Sequence, residues 1–321
     1  MSTETGQPVH TVRAVEWTLE SPGRLHRTLI TLPSPTVDEV LVGSVAGAVC
    51  RGTERALLHG TCPQVSERDY PHQPGSLNVV TIREAADRTL VGERGVVKLG
   101  HRDFALVPYG KFIRVPGPVS DEIALLGVLA ADAHHAVAMA NVESDEDCLV
   151  VGGGIVGTLV AWELTHRTQG AVRIVEPDAK RRAVLERIRF PTEVKVSGRA
   201  GRYPFHTVFE CANAAGAFEA AQLAARPGGS IVVVADGGHE RYVLNDRFFA
   251  HGLFLGKTGP HPDLRAFLND WFARSEDRST LVEAAFGEAV RFDEFPQAYL
   301  KMALASPAEA PALLPRVVYP D

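Results

Sequence analysis

The sequence is poor in the features that mark secreted, membrane-spanning and disulfide-stabilised proteins. Its 321 residues contain four cysteines, none in a C-x-x-C pair, which argues against a disulfide framework or a four-cysteine zinc lobe and favours a reducing compartment. No stretch approaches the roughly 18 uninterrupted apolar residues of a membrane span. Residues 1–9 lack the basic start and apolar run of a secretory signal. We therefore expect a cytoplasmic protein with no membrane partner.

An excess of positive charge is also missing. The 33 basic and 39 acidic residues give a net charge of −6, so nothing overall favours nucleic acid as a partner. The hydrophobic fraction of 45% and charged fraction of 22% are ordinary for a globular protein. At roughly 150 residues per domain, the length predicts two domains.

Two kinds of secondary-structure pattern follow one another along the chain. Short apolar runs at residues 39–45, 92–99 and 103–107, separated by glycine and proline, predict a small β-barrel or sandwich. An alanine-rich helix is predicted at 122–139. Strands predicted at 148–151, 172–175, 207–210 and 229–234 then alternate with helices, which is typical of a parallel sheet covered on both faces. The predicted fold class is thus α/β, with a doubly wound sheet beside a β-domain.

A glycine-rich turn carries the strongest functional signal. It matches G-x-G-x-x-G, follows an apolar strand and opens a helix, as a dinucleotide site requires. Gly152 permits the tight turn, Gly154 lets the backbone approach the pyrophosphate, and Gly157 lets helix and strand pack closely. The pyrophosphate would then lie at the positive end of the helix. The residues predicted here to bind the cofactor are Gly152, Gly153, Gly154, Ile155, Val156 and Gly157.

An acidic residue predicts which dinucleotide is bound. Glu176 ends the second strand, 176 − 157 = 19 residues after the last glycine, where an acid accepts hydrogen bonds from the adenosine ribose. A carboxylate there would repel the extra phosphate of NADP, so the predicted cofactor is NAD. Pro177 turns the chain, and Asn213, Ala235 and Asp236 follow later strands at the sheet edge where nucleotides dock.

Several segments together resemble the medium-chain dehydrogenase/reductase family. They are residues 43–53, 92–96, the glycine motif, 209–212, 226–229 and 292–299. The resemblance implies a GroES-like β-domain at 1–118 that is completed by 277–321, and a Rossmann NAD-binding domain at 119–276. It also implies hydride transfer to or from a small-molecule substrate, and a homodimer formed through an edge strand at 252–257.

The metal ligands of the family are mostly absent. Many members hold a catalytic zinc through a cysteine, a histidine in a Gly-His-Glu segment, and a later cysteine or acid. Cys50 lies near the first position, but Ser76 replaces the histidine, and a catalytic zinc needs three protein ligands. No metal is therefore predicted, although Asp132, His134 and His135 leave open a non-standard site with Cys50. Residues 50–55 resemble the S-x-G-T-E-R stretch of a zinc-independent branch that includes the bacteriochlorophyllide hydroxyethyl dehydrogenase.

Chemistry without a metal needs side chains that polarise the substrate oxygen and move its proton. Thr53 lies where the family places a hydroxyl proton relay. His101, His134 and His135 are further catalytic candidates, since histidine titrates near neutrality. The predicted function is zinc-independent, NAD(H)-dependent interconversion of a secondary alcohol and a ketone. An enoyl or quinone-type reductase and a non-catalytic NAD-binding protein are the alternatives.

Overall fold

The computed structural model describes residues 11–201, 204–235, 241–287, 289–304 and 313–320. The helices and strands of these residues are, in chain order, β1 (Val12–Ser21), β2 (Arg24–Leu32), β3 (Glu39–Ala48), α1 (Arg51–His59), β4 (Leu77–Ala85), β5 (Arg94–Val97), β6 (Phe104–Pro108), β7 (Ile113–Arg114), α2 (Asp121–Met139), β8 (Cys148–Val151), α3 (Ile155–Leu164), β9 (Val172–Val175), α4 (Ala179–Leu185), β10 (Val194–Ser197), β11 (Phe205–Glu210), α5 (Ala217–Ala224), β12 (Ala225–Val233), α6 (Asp246–His251), β13 (Phe254–Lys257), α7 (Leu264–Ala273), α8 (Ser279–Ala285), β14 (Val290–Arg291), α9 (Phe295–Leu304) and β15 (Arg316–Val318).

The second half of the chain forms a six-stranded parallel sheet in the order β10-β9-β8-β11-β12-β13. Strand β8 is buried along its whole length, because one face packs into the core with α2 and α3 and the other into the core with α5. A strand covered on both faces can be apolar throughout, which explains its sequence. The predicted doubly wound α/β sheet is confirmed. The strand order reverses between β8 and β11, where such sheets bind ligands.

A second, mostly antiparallel sheet contains β3, β4, β5, β6 and β7 from the first third of the chain and β14 and β15 from its end. The chain returns to this sheet when β15 pairs with β3, placing Val317 opposite Gly47. Strands β1 and β2 form a separate hairpin. Main-chain bridges join Glu16 to Arg102 and Leu19 to His72. This arrangement confirms the antiparallel-rich β-domain that the fold prediction placed beside the parallel sheet.

Helix α2 lies where the two sheets meet and packs against α3, α7 and β4. Ser120 caps its start by accepting a hydrogen bond from Ile123 N–H. In its first turn, Asp121 pairs with Arg94 at 2.8 Å, and Glu122 pairs with Arg316. The length and composition of α2 would suffice to cross a membrane, but 61% of its most apolar window is buried inside the protein. The apolar character of α2 is therefore accounted for by the core.

Two local differences from the sequence-based expectation bear on the site. The first third contains a nine-residue helix, α1, that the pattern of short strands did not predict. Its apolar positions, Ala56 to Leu58, form one short run that strand and helix patterns share. The sequence pattern after the glycine turn predicts a helix from Thr158, but helix α3 begins three residues earlier, at Ile155, because Gly154 serves as its N-cap directly after the turn.

Candidate functional site

The glycine turn has a distinct geometry at each glycine. Gly152 has φ +105°, a left-handed conformation that glycine adopts without strain. A Cβ atom on Gly157 would overlap the carbonyl oxygen of Gly152, so this glycine is needed for α3 to pack on the turn. A Cβ on Gly153 would lie 2.9 Å from Glu176 Cβ, whereas a Cβ on Gly154 would have nothing within 4 Å. The turn thus has one open face, above Gly154 at the start of α3.

Glu176 lies beside this turn and is held there by the backbone. Its side chain is 6% exposed. One carboxylate oxygen accepts a hydrogen bond from Gly153 N–H at 3.0 Å, and the other accepts one from Asp178 N–H at 2.9 Å. The guanidinium of Arg181 is 3.5 Å from the same oxygen that Gly153 contacts. Pro177 follows, and its carbonyl accepts a hydrogen bond from Arg182 at 2.6 Å. The acid predicted for ribose binding is therefore fixed at the rim of the glycine turn.

An arginine of the N-terminal part of the chain approaches the same place. Arg51 is the first residue of α1. Burial lowers the pKa of its guanidinium, and the charges of Arg181 and Arg55 lower it further. Arg51 is therefore within electrostatic range of Arg181, the residue beside Glu176. Sequence reasoning did not single out Arg51 as a candidate. A usable signal was the pair of arginines at positions i and i+4, which share one helix face.

The remaining predicted cofactor residues lie at the same edge of the sheet. Asn213 follows β11, is buried, and has φ +41°. Its N–H donates to a carboxylate oxygen of Glu210 at 2.7 Å. Ala235 follows β12 and donates its N–H to the carbonyl oxygen of Glu210 at 3.1 Å. Asp236 lies outside the described residues. Residues after β8, β9, β11 and β12 thus converge where dinucleotides dock in this type of sheet.

The four predicted catalytic side chains fall into two groups. Thr53 and His101 belong to the first group, near the start of α1. The hydroxyl of Thr53 is 3.8 Å from the thiol of Cys50. His101 is fully buried, and its Nε2 is 2.9 Å from a carboxylate oxygen of Glu54. Thr53 is partly accessible, whereas His101 is fully buried.

His134 and His135 form the second group, on α2. His134 Nδ1 lies 2.9 Å from a carboxylate oxygen of Glu163 on α3. The ring of His261 is 5.8 Å, centre to centre, from the ring of each of these histidines. Burial lowers the pKa of His261, and positive charge on His134 and His135 lowers it further. These contacts are with α3 and with the loop before α7.

The non-standard metal site that the sequence left open is not seen among the described residues. No group of three histidine, cysteine, aspartate or glutamate side chains in that part of the chain is arranged to hold a metal ion. Asp132, one of the possible supplementary ligands, accepts a hydrogen bond from His261 N–H at 3.1 Å.

No protein-family model and no curated protein matches the chain. Solved structures, in contrast, match it over nearly its whole length. A putative zinc-binding dehydrogenase from Sinorhizobium meliloti 1021 bound to NADP has a TM-score of 0.78 at 18% identity, with 96% of this chain and 99% of that chain covered. L-idonate 5-dehydrogenase from Escherichia coli K-12 has a TM-score of 0.80 at 12% identity, with 97% and 100% covered.

A third match, described as a short chain alcohol dehydrogenase from Escherichia coli CFT073 complexed with NADH, has a TM-score of 0.74 at 15% identity. The match covers 95% of this chain and 99% of that one. At these identities the likeness establishes the fold. The chain therefore has, over nearly its whole length, the two-sheet fold of these dehydrogenases.

Proposed function

We propose that this protein is an NAD(H)-dependent oxidoreductase of the medium-chain dehydrogenase/reductase type that interconverts a secondary alcohol and a ketone without zinc. The observation that carries the proposal is the open face above Gly154. A side chain there would project into free space rather than into the protein, as expected where a ligand, and not the fold, requires glycine. The solved structures of the same fold that hold NADP and NADH support a nicotinamide cofactor.

The cofactor would be held from both sides of the cleft. The N–H groups of Ile155 and Val156 open α3 and would bind the pyrophosphate at the positive end of the helix dipole. Arg51 would approach it from α1, since its guanidinium is within electrostatic range of that of Arg181 and a bound anion would relieve their repulsion. Glu176 would accept the ribose hydroxyls with the lone pairs that its two backbone contacts leave free.

The preference for NAD depends on Glu176. Its negative charge disfavours a second phosphate on the ribose, while Arg181 at 3.5 Å partly offsets that charge. We expect the carboxylate to dominate, because it is buried and bonded to the turn itself. Titration of the protein with NADH and NADPH, followed by nicotinamide fluorescence, tests this. Tighter binding of NADPH would contradict the preference, and binding of neither nucleotide would refute the proposed function.

The reaction would take place between the nicotinamide and the start of α1. When bound, NAD supplies the ring carbon that accepts the hydride. The Thr53 hydroxyl would donate a hydrogen bond to the substrate oxygen in the ketone form and accept one from the substrate hydroxyl in the alcohol form. On oxidation it would take the substrate proton while passing its own proton on to solvent, so that it ends as a neutral hydroxyl. Turnover of a panel of secondary alcohols and ketones, compared between the native protein and a Thr53→Val variant, tests this role. Unchanged turnover in the variant would remove Thr53 from the mechanism.

A non-catalytic NAD-binding protein is the second candidate. One observation favours it: His101 and His134 are each engaged with a buried glutamate, Glu54 and Glu163 respectively. The same substrate panel, extended to enones and quinones, separates the possibilities. Reduction of C=C bonds alone would indicate the enoyl or quinone-type reductase, and tight NADH binding without any turnover would indicate the non-catalytic protein.

We also propose that the chain forms a homodimer through β13, the edge strand of the parallel sheet. Phe254 on that strand is 67% exposed, and Phe249 just before it is 69% exposed. A second copy paired across a two-fold axis would cover both and continue the sheet. Phe254→Lys should shift the sedimentation coefficient to that of a monomer. Leu29→Lys, at an equally exposed site on β2, is the matched control and should leave the native coefficient unchanged.

The domain division and cellular location are proposals as well. We place a β-domain at residues 1–118 with 277–321 and the NAD-binding domain at 119–276, because β14 and β15 pair into the sheet of β3. The cytoplasm is the proposed location, since the four cysteines form no disulfide.

A further inference from the structure

A buried acid–imidazole pair lies directly beneath the start of α1. The side chains of Glu54 and His101 are 2% and 0% exposed, and their polar atoms are 2.9 Å apart. A buried carboxylate is strongly unfavourable unless hydrogen bonds and an opposite charge compensate it. The ring of Tyr299 is 6.1 Å from that of His101. Burial, together with the charge of Glu54, raises the pKa of the Tyr299 phenol.

The second carboxylate oxygen of Glu54 is bonded to the backbone. It accepts a hydrogen bond from Cys50 N–H at 3.0 Å. Cys50 is the N-cap of α1, and its own side chain makes no capping hydrogen bond. Glu54 therefore reaches back one turn and fixes the residue at which the helix begins. Arg51 and Thr53, the two residues proposed to face cofactor and substrate, lie between these two positions.

His101 is held firmly by its surroundings. Its backbone N–H donates a hydrogen bond to the Pro74 carbonyl at 2.8 Å, and its backbone carbonyl accepts one from Trp17 N–H at 2.9 Å. Gly75 leaves room for the imidazole, since a Cβ there would lie 2.8 Å from His101 Cδ2. The ring of Phe295, from α9, is 4.5 Å away. The imidazole is thus a fixed point against which the Glu54 carboxylate rests.

We propose that Glu54 and His101 are a positioning pair that sets the start of α1, so that Arg51 reaches the cofactor pyrophosphate. The proposal rests on the proposed function, because it needs a dinucleotide in the cleft. It links His101 to Arg51 through two hydrogen bonds, from His101 to Glu54 and from Glu54 to Cys50 N–H, and through the peptide bond that joins Cys50 to Arg51.

A backbone substitution tests the link with little change to the pair itself. Cys50→Pro removes the N–H that Glu54 accepts, and φ at Cys50 is −77°, which proline can adopt. Cys50→Ala also removes the thiol but keeps the N–H, so it is the matched control. We expect Cys50→Pro to weaken NADH binding about tenfold, as for loss of one charge-assisted contact, and Cys50→Ala to bind within about threefold of the native protein.

A double-mutant cycle shows whether the effect passes through Arg51. Arg51→Ala should weaken NADH binding about 10- to 100-fold. Glu54→Ala should weaken it similarly in the native background, but by less than about threefold in the Arg51→Ala background. Glu54→Gln, whose amide oxygen can still accept from Cys50 N–H, should recover most of the affinity.

Several results would overturn the pairing. Equal loss from Glu54→Ala in both backgrounds would show that Glu54 does not act through Arg51. Equal affinity of Cys50→Pro and Cys50→Ala would show that the backbone contact does not matter. If Glu54→Ala does not fold, Glu54→Gln and Cys50→Pro still decide the question. If the native protein binds no dinucleotide, the proposed function fails before any variant is compared.

Discussion

Replacement of Gly154 by valine tests whether the glycine turn serves a ligand or only the fold. The backbone at Gly154 has φ −73° and ψ −179°, which any residue can adopt. A Cβ atom there would meet nothing within 4 Å. The valine side chain would instead occupy the space above the first N–H groups of α3, where the pyrophosphate is proposed to lie.

The expected loss can be worked from those N–H groups. A hydrogen bond to a charged group contributes about 1.5–3 kcal/mol. Losing two of them corresponds to at least about 100-fold weaker binding, at 1.4 kcal/mol per tenfold. Valine is a poorer N-cap than glycine by about 1 kcal/mol, so the free energy of unfolding should fall by only about that amount. That lowers the melting temperature of a chain this long by about 2 °C.

The assay is NADH titration by nicotinamide fluorescence, with thermal melting of the same samples. Gly157→Ala is the matched control, because a Cβ at that position would overlap the Gly152 carbonyl and lie 3.1 Å from Val150 Cγ1. It should lower the melting temperature much more than Gly154→Val does. If Gly154→Val binds NADH within about threefold of the native protein, the turn does not hold the pyrophosphate and the site is elsewhere.

Glu176→Gln should weaken NADH binding and reduce the difference in affinity between NADH and NADPH, since the amide keeps the shape of the side chain but loses its charge. An unchanged ratio of the two dissociation constants would contradict this. Burial, with His134 and His135, lowers the pKa of His261 below its unfolded value near 6.5. The neutral His261 thus stabilises the fold fully above that value and progressively less as the pH falls. The melting temperature of His261→Gln should therefore fall less between pH 7.5 and 5.5 than that of the native protein. An equal decrease in both would exclude His261 as a source of acid sensitivity. Elemental analysis should find well under one zinc per chain, and chelators should not change activity. Stoichiometric zinc removed together with activity would instead make Cys50 a ligand.

The parts of the fold that sequence predicts well are those with local signatures. The alternation of buried strands and helices gave β8 and β9 with the bounds observed. The glycine turn could be predicted because the three glycines that define it lie within six consecutive residues. The proximity of Glu176 to this turn followed from the fixed geometry of a strand–helix–strand unit.

The parts that sequence could not predict depend on contacts between distant segments. Arg51 and Arg181 are 130 positions apart yet within electrostatic range of each other, and nothing near either residue in the sequence encodes that proximity. Helical spacing could place His134 and His135 on α2 but could not say that His261 would be their neighbour. His101 looked like a substrate-facing residue at a strand end, and only the tertiary structure shows Phe295 from α9 packed over it.

The position of α2 has a consequence for how the protein unfolds. One continuous apolar core contains Leu77 and Val96 from the antiparallel sheet, Leu125 from α2, and Val150 and Ile174 from the parallel sheet. If either sheet loses its contact with α2, apolar surface of this shared core is exposed to water. The ion pairs of Arg94 and Arg316 with the first turn of α2 connect the antiparallel sheet to the same helix. We therefore expect the two halves to melt together in one cooperative transition, seen as a single peak by calorimetry.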